Sequence, residues 1–354
     1  MRRSPILTSI LSAVAVLAVG TGLGLGLRVQ PAAAGAAQEA GSFDIAVFVP
    51  GVAAGSPLYE QMVEGTQRAA AEHPGVTVKV LEAGFNQAEW GEKMTSLAAT
   101  GQYELIVTSN PAMPELCAEV AGRFPGQRWL CLDGYLEGNP QLHTLLYNQI
   151  EMTYFSGYLA GLVTQSAMSG ANPALKVGMV VAQEYPALTK MIKPGYELGL
   201  RAVNPEITVD YRLIGNWYDA NKAADLAGSM IDAGADVILT VSGGANEGVI
   251  KACQERGKYV LYVDGSAYQL APGTIVGCSV LHQSRAAYER VKMAVEGRLR
   301  YGEAEVVGVK EGYVDFDDRD PLYLQSVPEG LRQKMAVVIR KLRSGELHFP
   351  APRL

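Results

Sequence analysis

The sequence predicts an α/β protein built as two doubly wound lobes with a hinge and a central cleft. Three observations carry this. Short apolar, β-rich runs alternate with helical segments. The alternation runs through one full set, breaks around Tyr147 to Leu162, and then restarts at similar length. Aromatic and small polar residues collect just after the strands, the edge where open α/β sheets gather their ligands. With 354 residues, 48% apolar and 19% charged, the chain has room for about two domains of ordinary size.

In chain order, "DIAVFVP" reads as the first strand. "SPLYEQMVEGTQRAAAEH" follows as a helix with Ser56 at the N-cap and Pro57 at N1, where its missing N–H costs nothing. "VTVKVLEA", "ELIVTS" and "RWLCLDG" are further strands, separated by helices around Trp90 to Ala98 and Met113 to Phe124. After the break come "KVGMVVA", "TVDYRLIG", "DVILTVSGG" and "KYVLYVDG", with helices around Leu188 to Val203, Ala220 to Ala233 and Asn246 to Arg256. "IVGCSVLH" is one more strand, followed by a helix over Ala286 to Leu299. Apolar strands spaced by helices imply parallel sheets covered on both faces. The expected division is 43–148 plus about 278–304 for the first lobe, 149–275 plus about 305–345 for the second, and a tail over 346–354.

The break itself, "YNQIEMTYFSGYLAGL", contains a G-x-x-x-G pair, Gly157 and Gly161, known from packed membrane helices. Its apolar run from Met152 to Val163 is too short for a bilayer, which needs ~20 residues. Met152, Phe155, Leu159 and Leu162 fall at helical spacing and supply a buried face. The stretch therefore reads as a crossing strand followed by the first core helix of the second lobe, with Tyr147 to Gln149 beside the cleft.

Residues 1–40 read as targeting. Arg2 and Arg3 precede an uncharged apolar run from Pro5 to Leu27, and Ala32 and Ala34 suit an A-x-A cleavage site. Either a cleaved signal or an uncleaved anchor puts the remainder outside the cytoplasm, in the periplasm or on the outer face of the membrane. No cysteine lies near this segment to carry a lipid.

A formal net charge of -6 argues against a nucleic-acid partner. The basic cluster "RKLRSG" reads as a solvated helix face. Cys117, Cys131, Cys253 and Cys278 lack C-x-x-C spacing and sit in apolar contexts, where buried thiols are expected. His73, His143, His282 and His348 have no partner at ligand spacing, and neither a nucleophile elbow nor a Walker loop is present. No enzyme, metal or cofactor is expected.

The strand ends supply the candidate binding residues Tyr59, Trp90, Asn110, Asn148, Tyr185, Trp217, Tyr218, Asn246 and Tyr268. Aromatic faces with a few polar groups suit a flat, partly polar small molecule. Gly243 and Gly244 in "SGGANEG" fit either a tight turn or N–H groups offered to an anion or hydroxyl. Asp264 either caps its turn or accepts hydroxyl protons, and His282 either donates to a ligand or caps the next helix.

The pieces "EMTYFSGYLAGL", "GYELGLRAVNP", "IDAGADVIL", "SGGANEGVIKA", "GKYVLYVDG", "GYVDF" and "SGELHFP", in this order, resemble the basic membrane protein family of ABC-importer solute-binding proteins, which includes the purine nucleoside receptors. The resemblance covers about Asp44 to Pro350. It implies a type I periplasmic-binding fold that closes on a small-molecule ligand, with a membrane permease and an ATPase as partners. Several positions depart from the nucleoside-receptor pattern. Val49 stands where the first strand ends in an acid, Leu58 or Tyr59 where a Phe stacks, and Leu239 where an aromatic precedes the glycines. Ser266 replaces the ribose-binding acid, and His282 replaces a Lys. A nucleoside-like heterocycle, with a purine nucleoside as family default, is the implied ligand. A riboflavin-type ligand and a sensor role for a membrane signalling protein are the alternatives. In this reading aromatics clamp the ring, and Asn110, Asn148, Asp264 and His282 address polar groups.

Overall fold

The strands pair into two sheets of the same order, each built around one α/β set. The structure, a computed structural model, describes residues 42–352. The expected export segment lies outside the described residues. The first set runs β1 (Phe43–Val49), α1 (Pro57–Ala71), β2 (Val76–Glu82), α2 (Trp90–Ala99), β3 (Leu105–Ser109), α3 (Met113–Ala121), β4 (Arg128–Leu132) and β5 (Leu142–Tyr147). The second runs α4 (Gln149–Thr164), β6 (Lys176–Val181), α5 (Lys193–Val203), β7 (Thr208–Leu213), α6 (Ala220–Asp232), β8 (Val237–Val241), α7 (Asn246–Glu255), β9 (Tyr259–Asp264) and β10 (Ile275–Leu281). Then follow α8 (Gln283–Val295), β11 (Ala304–Val307), β12 (Val314–Phe316), α9 (Pro321–Ser326) and α10 (Glu329–Ser344). The sheet orders are β11-β5-β4-β3-β1-β2 and β12-β10-β9-β8-β6-β7, parallel except for β12. This is a two-lobed, doubly wound α/β architecture.

Burial follows strand position. Central β3, β5 and β8 are buried at every residue, as strands covered on both faces must be, while edge strands β2 and β7 are largely half-buried or exposed. Ser56 is the N-cap residue of α1 and Pro57 is at its start, as the sequence predicts, although the Ser56 side chain makes no capping bond. The expected helix from Leu188 begins as a π turn, Leu188–Ile192, and continues as α5.

The G-x-x-x-G stretch is α4, buried along nearly its whole length against α5. A Cβ on Gly157 would stand 2.0 Å from the Tyr196 carbonyl oxygen, and one on Gly161 would stand 2.9 Å from Val203 Cβ. The facing helix answers with its own pair. A Cβ on Gly195 would lie 2.4 Å from Thr153 Oγ1, and one on Gly199 would lie 2.4 Å from the Tyr154 oxygen. The glycines thus let two backbones touch inside a protein core. Among the described residues no helix is long and apolar enough to cross a membrane.

The lobe boundaries differ from the expectation. β10 pairs with β9 and lies in the second sheet, whereas β11 pairs with β5 and lies in the first. The chain therefore crosses at Asn148, His282 and Gly308, and the segment returning to the first lobe is 283–307 rather than about 278–304. An ion-pair network ties this segment down. Arg290 on α8 binds Glu305 on β11, and Glu305 Oε1 lies 2.7 Å from His143 Nε2 on β5. The crossings are bonded to one another, with Asn148 N donating to the Val307 oxygen and His282 N to the Tyr313 oxygen, each at 2.8 Å.

All four cysteines are free and buried. Of the basic cluster, Arg343 is half-buried and pairs with Asp315 and Asp318, so it is a structural residue and not part of a solvated face.

Candidate functional site

Parallel strands deliver their carboxyl ends to the same edge of each sheet, and here the two edges face one another. Contacts between described residues join them. Gln61 Nε2 on α1 donates to the Asp264 carbonyl oxygen at 3.0 Å. Pro57 packs on Gly265, where an added Cβ would lie 3.2 Å from Pro57 Cβ. Gln87 Nε2 reaches Gln183 Oε1 at 3.2 Å, and the rings of Phe85 and Tyr218 meet at 5.6 Å with a tilt of 44°.

On the first lobe, Tyr59 at the start of α1 donates its hydroxyl to the Pro50 oxygen at 3.2 Å and accepts from Asn110 Nδ2 at 3.3 Å. Asn110 Oδ1 holds the turn after β3 by accepting from Ala112 N at 3.0 Å. Burial pushes the Tyr59 hydroxyl up to about 12, opposed by the Asn110 bond and reinforced by the Asp133 charge. On the second lobe, Trp217 Nε1 donates to Gln183 Oε1 at 2.9 Å, and its ring packs on Tyr185 with centroids 5.9 Å apart. Burial first, then the charges of Asp133 and Asp264, push the Tyr185 hydroxyl far above its ordinary value. Tyr59 therefore lies within electrostatic reach of Asp133, and Tyr185 within reach of both Asp133 and Asp264.

That pair is only half anticipated by the sequence. Asp133 follows β4, is 5% exposed, and accepts from Gln149 Nε2 at 2.7 Å. Burial and the nearby Asp264 charge raise its carboxyl well above the usual range despite that bond. Asp264 ends β9, and burial raises it to about 7. Both residues adopt left-handed backbone, φ 55° and 74°, which costs a non-glycine residue energy and recurs at functional sites. A signal for Asp133 was present, since "LCLDG" and "LYVDG" end the fourth strand of each set with the same Asp-Gly pair. Tyr147 and Gln149 also belong to this cluster. The Tyr147 hydroxyl is buried without a hydrogen-bond partner, as is Gln149 Oε1.

Other candidates stand elsewhere. Trp90 is a core residue of the first lobe, packed with Met94 and Phe48 and donating Nε1 to the Gly84 oxygen at 2.8 Å. Tyr268 is wholly buried, donating to the Asp317 oxygen and accepting from Cys278 N, both at 3.0 Å. Neither presents a free face to the cleft, so both leave the set of ring-clamping aromatics. Asn148 is buried at the first crossing and donates Nδ2 to the Phe349 oxygen at 2.7 Å. Asn246 is likewise turned inward, accepting from Thr240 and from Ser242 N. Tyr218 is 61% exposed and forms the rim with Phe85. A Cβ on Gly243 would meet the Trp217 ring at 3.3 Å, and one on Gly244 the Trp217 oxygen at 3.4 Å. These glycines make room for Trp217, which accounts for them without an anion. Ser266 and His282 line a neighbouring cavity of about 620 Å³, together with Gln61, Asp315, Asp317 and Arg343. Burial lowers the His282 pKa there.

With this geometry in place, comparison with known proteins is informative. Residues 43–347 match the family described as ABC transporter substrate-binding protein PnrA-like. The purine-binding protein of Brucella abortus is 23% identical over 280 residues, covering 78% of this chain and 74% of that protein. The CD4+ T-cell-stimulating antigen of Listeria monocytogenes is 25% identical over 152 residues, covering 43% of this chain and 40% of the antigen, so the match spans less than half of that relative. A solute-binding protein of an ABC transporter system from Aeropyrum pernix has the same fold, with a TM-score of 0.76 at 22% identity over 88% of this chain and 94% of that one.

Proposed function

Since the chain belongs to the PnrA-like ABC transporter substrate-binding protein family, we propose that it is the exported binding component of an ABC importer and takes a nucleoside-like aromatic heterocycle between its lobes. A purine nucleoside is the first ligand to try, given the purine-binding relative. The observation that carries the reading is the packing of Tyr185 on Trp217 at one lobe's edge, where Trp217 donates to Gln183 and Gln183 meets Gln87 of the other lobe. Base-to-aromatic stacking is worth ~1–3 kcal/mol per ring, enough for two such rings to hold a heterocycle.

Binding needs no bond to form or break. Ligand contacts to both lobes favour the closed arrangement, and closure presents a surface that a permease reads. Gln183 joins the two functions, since it accepts from Trp217 beside the ligand space and from Gln87 across the cleft.

The test is native mass spectrometry of the purified protein with identification of the released molecule, followed by titration of that molecule. Trp217→Ala should weaken its binding by about tenfold to a hundredfold. Unchanged affinity would remove Trp217 from the site, and a released sugar or amino acid would refute the heterocycle.

A further inference from the structure

The segment after α10 turns back and lies over the hinge. Gly345 ends α10 in left-handed backbone, φ 75°, and Leu347 N donates to the Lys341 oxygen at 3.0 Å, which reverses the chain. The next two residues bond to the crossings. His348 Nδ1 lies 3.0 Å from Glu151 Oε1, and Asn148 Nδ2 donates to the Phe349 oxygen at 2.7 Å. The Glu151 side chain is 3% exposed, and its other oxygen, Oε2, accepts from Val309 N at 2.8 Å. Glu151 N donates in turn to the Asn148 oxygen at 3.1 Å, and a Cβ on Gly308 would stand 2.4 Å from Glu151 Oε2. One buried residue thus ties the crossings at Asn148 and Gly308 to the tail. Phe349 packs its ring on Tyr154 of α4, with centroids 4.6 Å apart, and packs on a small buried cluster. That cluster joins Leu146 of the first lobe to Ile150, Ala187 and Met191 of the second. Tyr185, whose ring meets Trp217, packs on it too.

We infer that residues 346–352 form a strap across the hinge that holds the lobes closed, with Phe349 as its anchor. The strap is seated here while the lobes meet at the cleft mouth, through Gln87 and Gln183 and through Phe85 and Tyr218. Opening is a rotation about a few residues at the crossings. Rotation there swings Leu146 away from Ile150 and Met191, exposes the cluster under Phe349, and strains the Asn148 bond to the tail. These losses fall on the open arrangement, because the strap is rooted in the second lobe by α10, Glu151 and Tyr154 and cannot follow the first. A seated strap therefore raises the share of closed protein before any ligand arrives, which tightens apparent binding by the same factor. Because Tyr185 rests on the same cluster, the strap also steadies one wall of the proposed ligand space. The inference rests on lobe closure as proposed above and not on the identity of the ligand.

The test follows closure itself, in protein stripped of copurified ligand. Phe85→Cys and Tyr218→Cys are introduced together, so that a short bismaleimide links the lobes when they close; the four native cysteines are buried. The linking rate is compared between this protein, its Phe349→Ala variant and a chain truncated after Leu347. Both changes should slow linking by about twofold or more, the fall in closed share that follows when the closed-to-open ratio drops about tenfold. A tail that serves only the stability of the fold would lower the urea midpoint and leave the linking rate of the Phe349→Ala variant untouched, and that result would overturn the inference. Faster linking in the variants would overturn it too. No linking in any of the proteins would sink lobe closure, and the strap with it.

Discussion

Replacing Asp264 by Asn should stabilise the ligand-free protein above pH 7 and leave it unchanged near pH 3.5. Burial raises this carboxyl from an ordinary 3.8 to about 7. A carboxyl with a raised folded pKa contributes fully below its ordinary value and loses that contribution as pH rises through about 7. The displacement corresponds to about 4 kcal/mol, and residual solvent contact reduces the expected gain to about 2–4 kcal/mol. The groups acting with it are Asp133, Tyr147, Tyr185 and Tyr262. None is cationic, and the tyrosines stay neutral in this range. Removing the Asp264 charge also relieves Asp133, which adds to the gain in the same direction. For a protein of this size the midpoint should rise by about 3–6 °C near pH 8.5, followed by circular dichroism. An equal rise near pH 3.5 would mean that packing and not ionisation is responsible. A fall near pH 8.5 would mean that the carboxylate is stabilised in the free protein, and the reasoning would fail.

Gly157→Val should destabilise by at least about 2–3 kcal/mol in urea denaturation, because its Cβ alone would stand 2.0 Å from the Tyr196 oxygen; a neutral result would show that α4 and α5 separate freely. Glu305→Gln should cost about 1–3 kcal/mol, since buried Arg290 loses one of its two carboxylates and keeps Glu289. Burial pushes the Glu305 carboxyl up, but bonds from His143 and Arg290 bring it down to about 2, so its contribution is present above about 4.5 and lost as pH falls toward 2. A Glu305→Gln variant with unchanged acid unfolding would contradict this. A double-mutant cycle on Phe85→Ala and Tyr218→Ala, read as ligand affinity, should give a coupling of about 0.5–1.5 kcal/mol if the rim pair closes with the lobes; additive effects would place the pair outside the closure step.

The alternation of strands and helices determined most of the architecture, because a parallel strand covered on both faces must be apolar throughout and so announces itself. The short apolar span of α4 and its glycine pair likewise settled a core helix over a membrane one. Local pattern also marked the strand ends as the place for ligands. It did not decide which side chains at those ends face the cleft. Trp90 and Tyr268 have the composition of cleft aromatics, yet helix phase and loop path turn them into the core. The lobe boundary near residue 278 was misplaced for a related reason, since a strand's sheet is fixed by its hydrogen-bond partner and β10 bonds to β9. Asp133 and Asp264 lie far apart in sequence, and each alone reads as a turn residue. Only the folding of two equivalent lobes, face to face, brings the two carboxyls within electrostatic reach of one another.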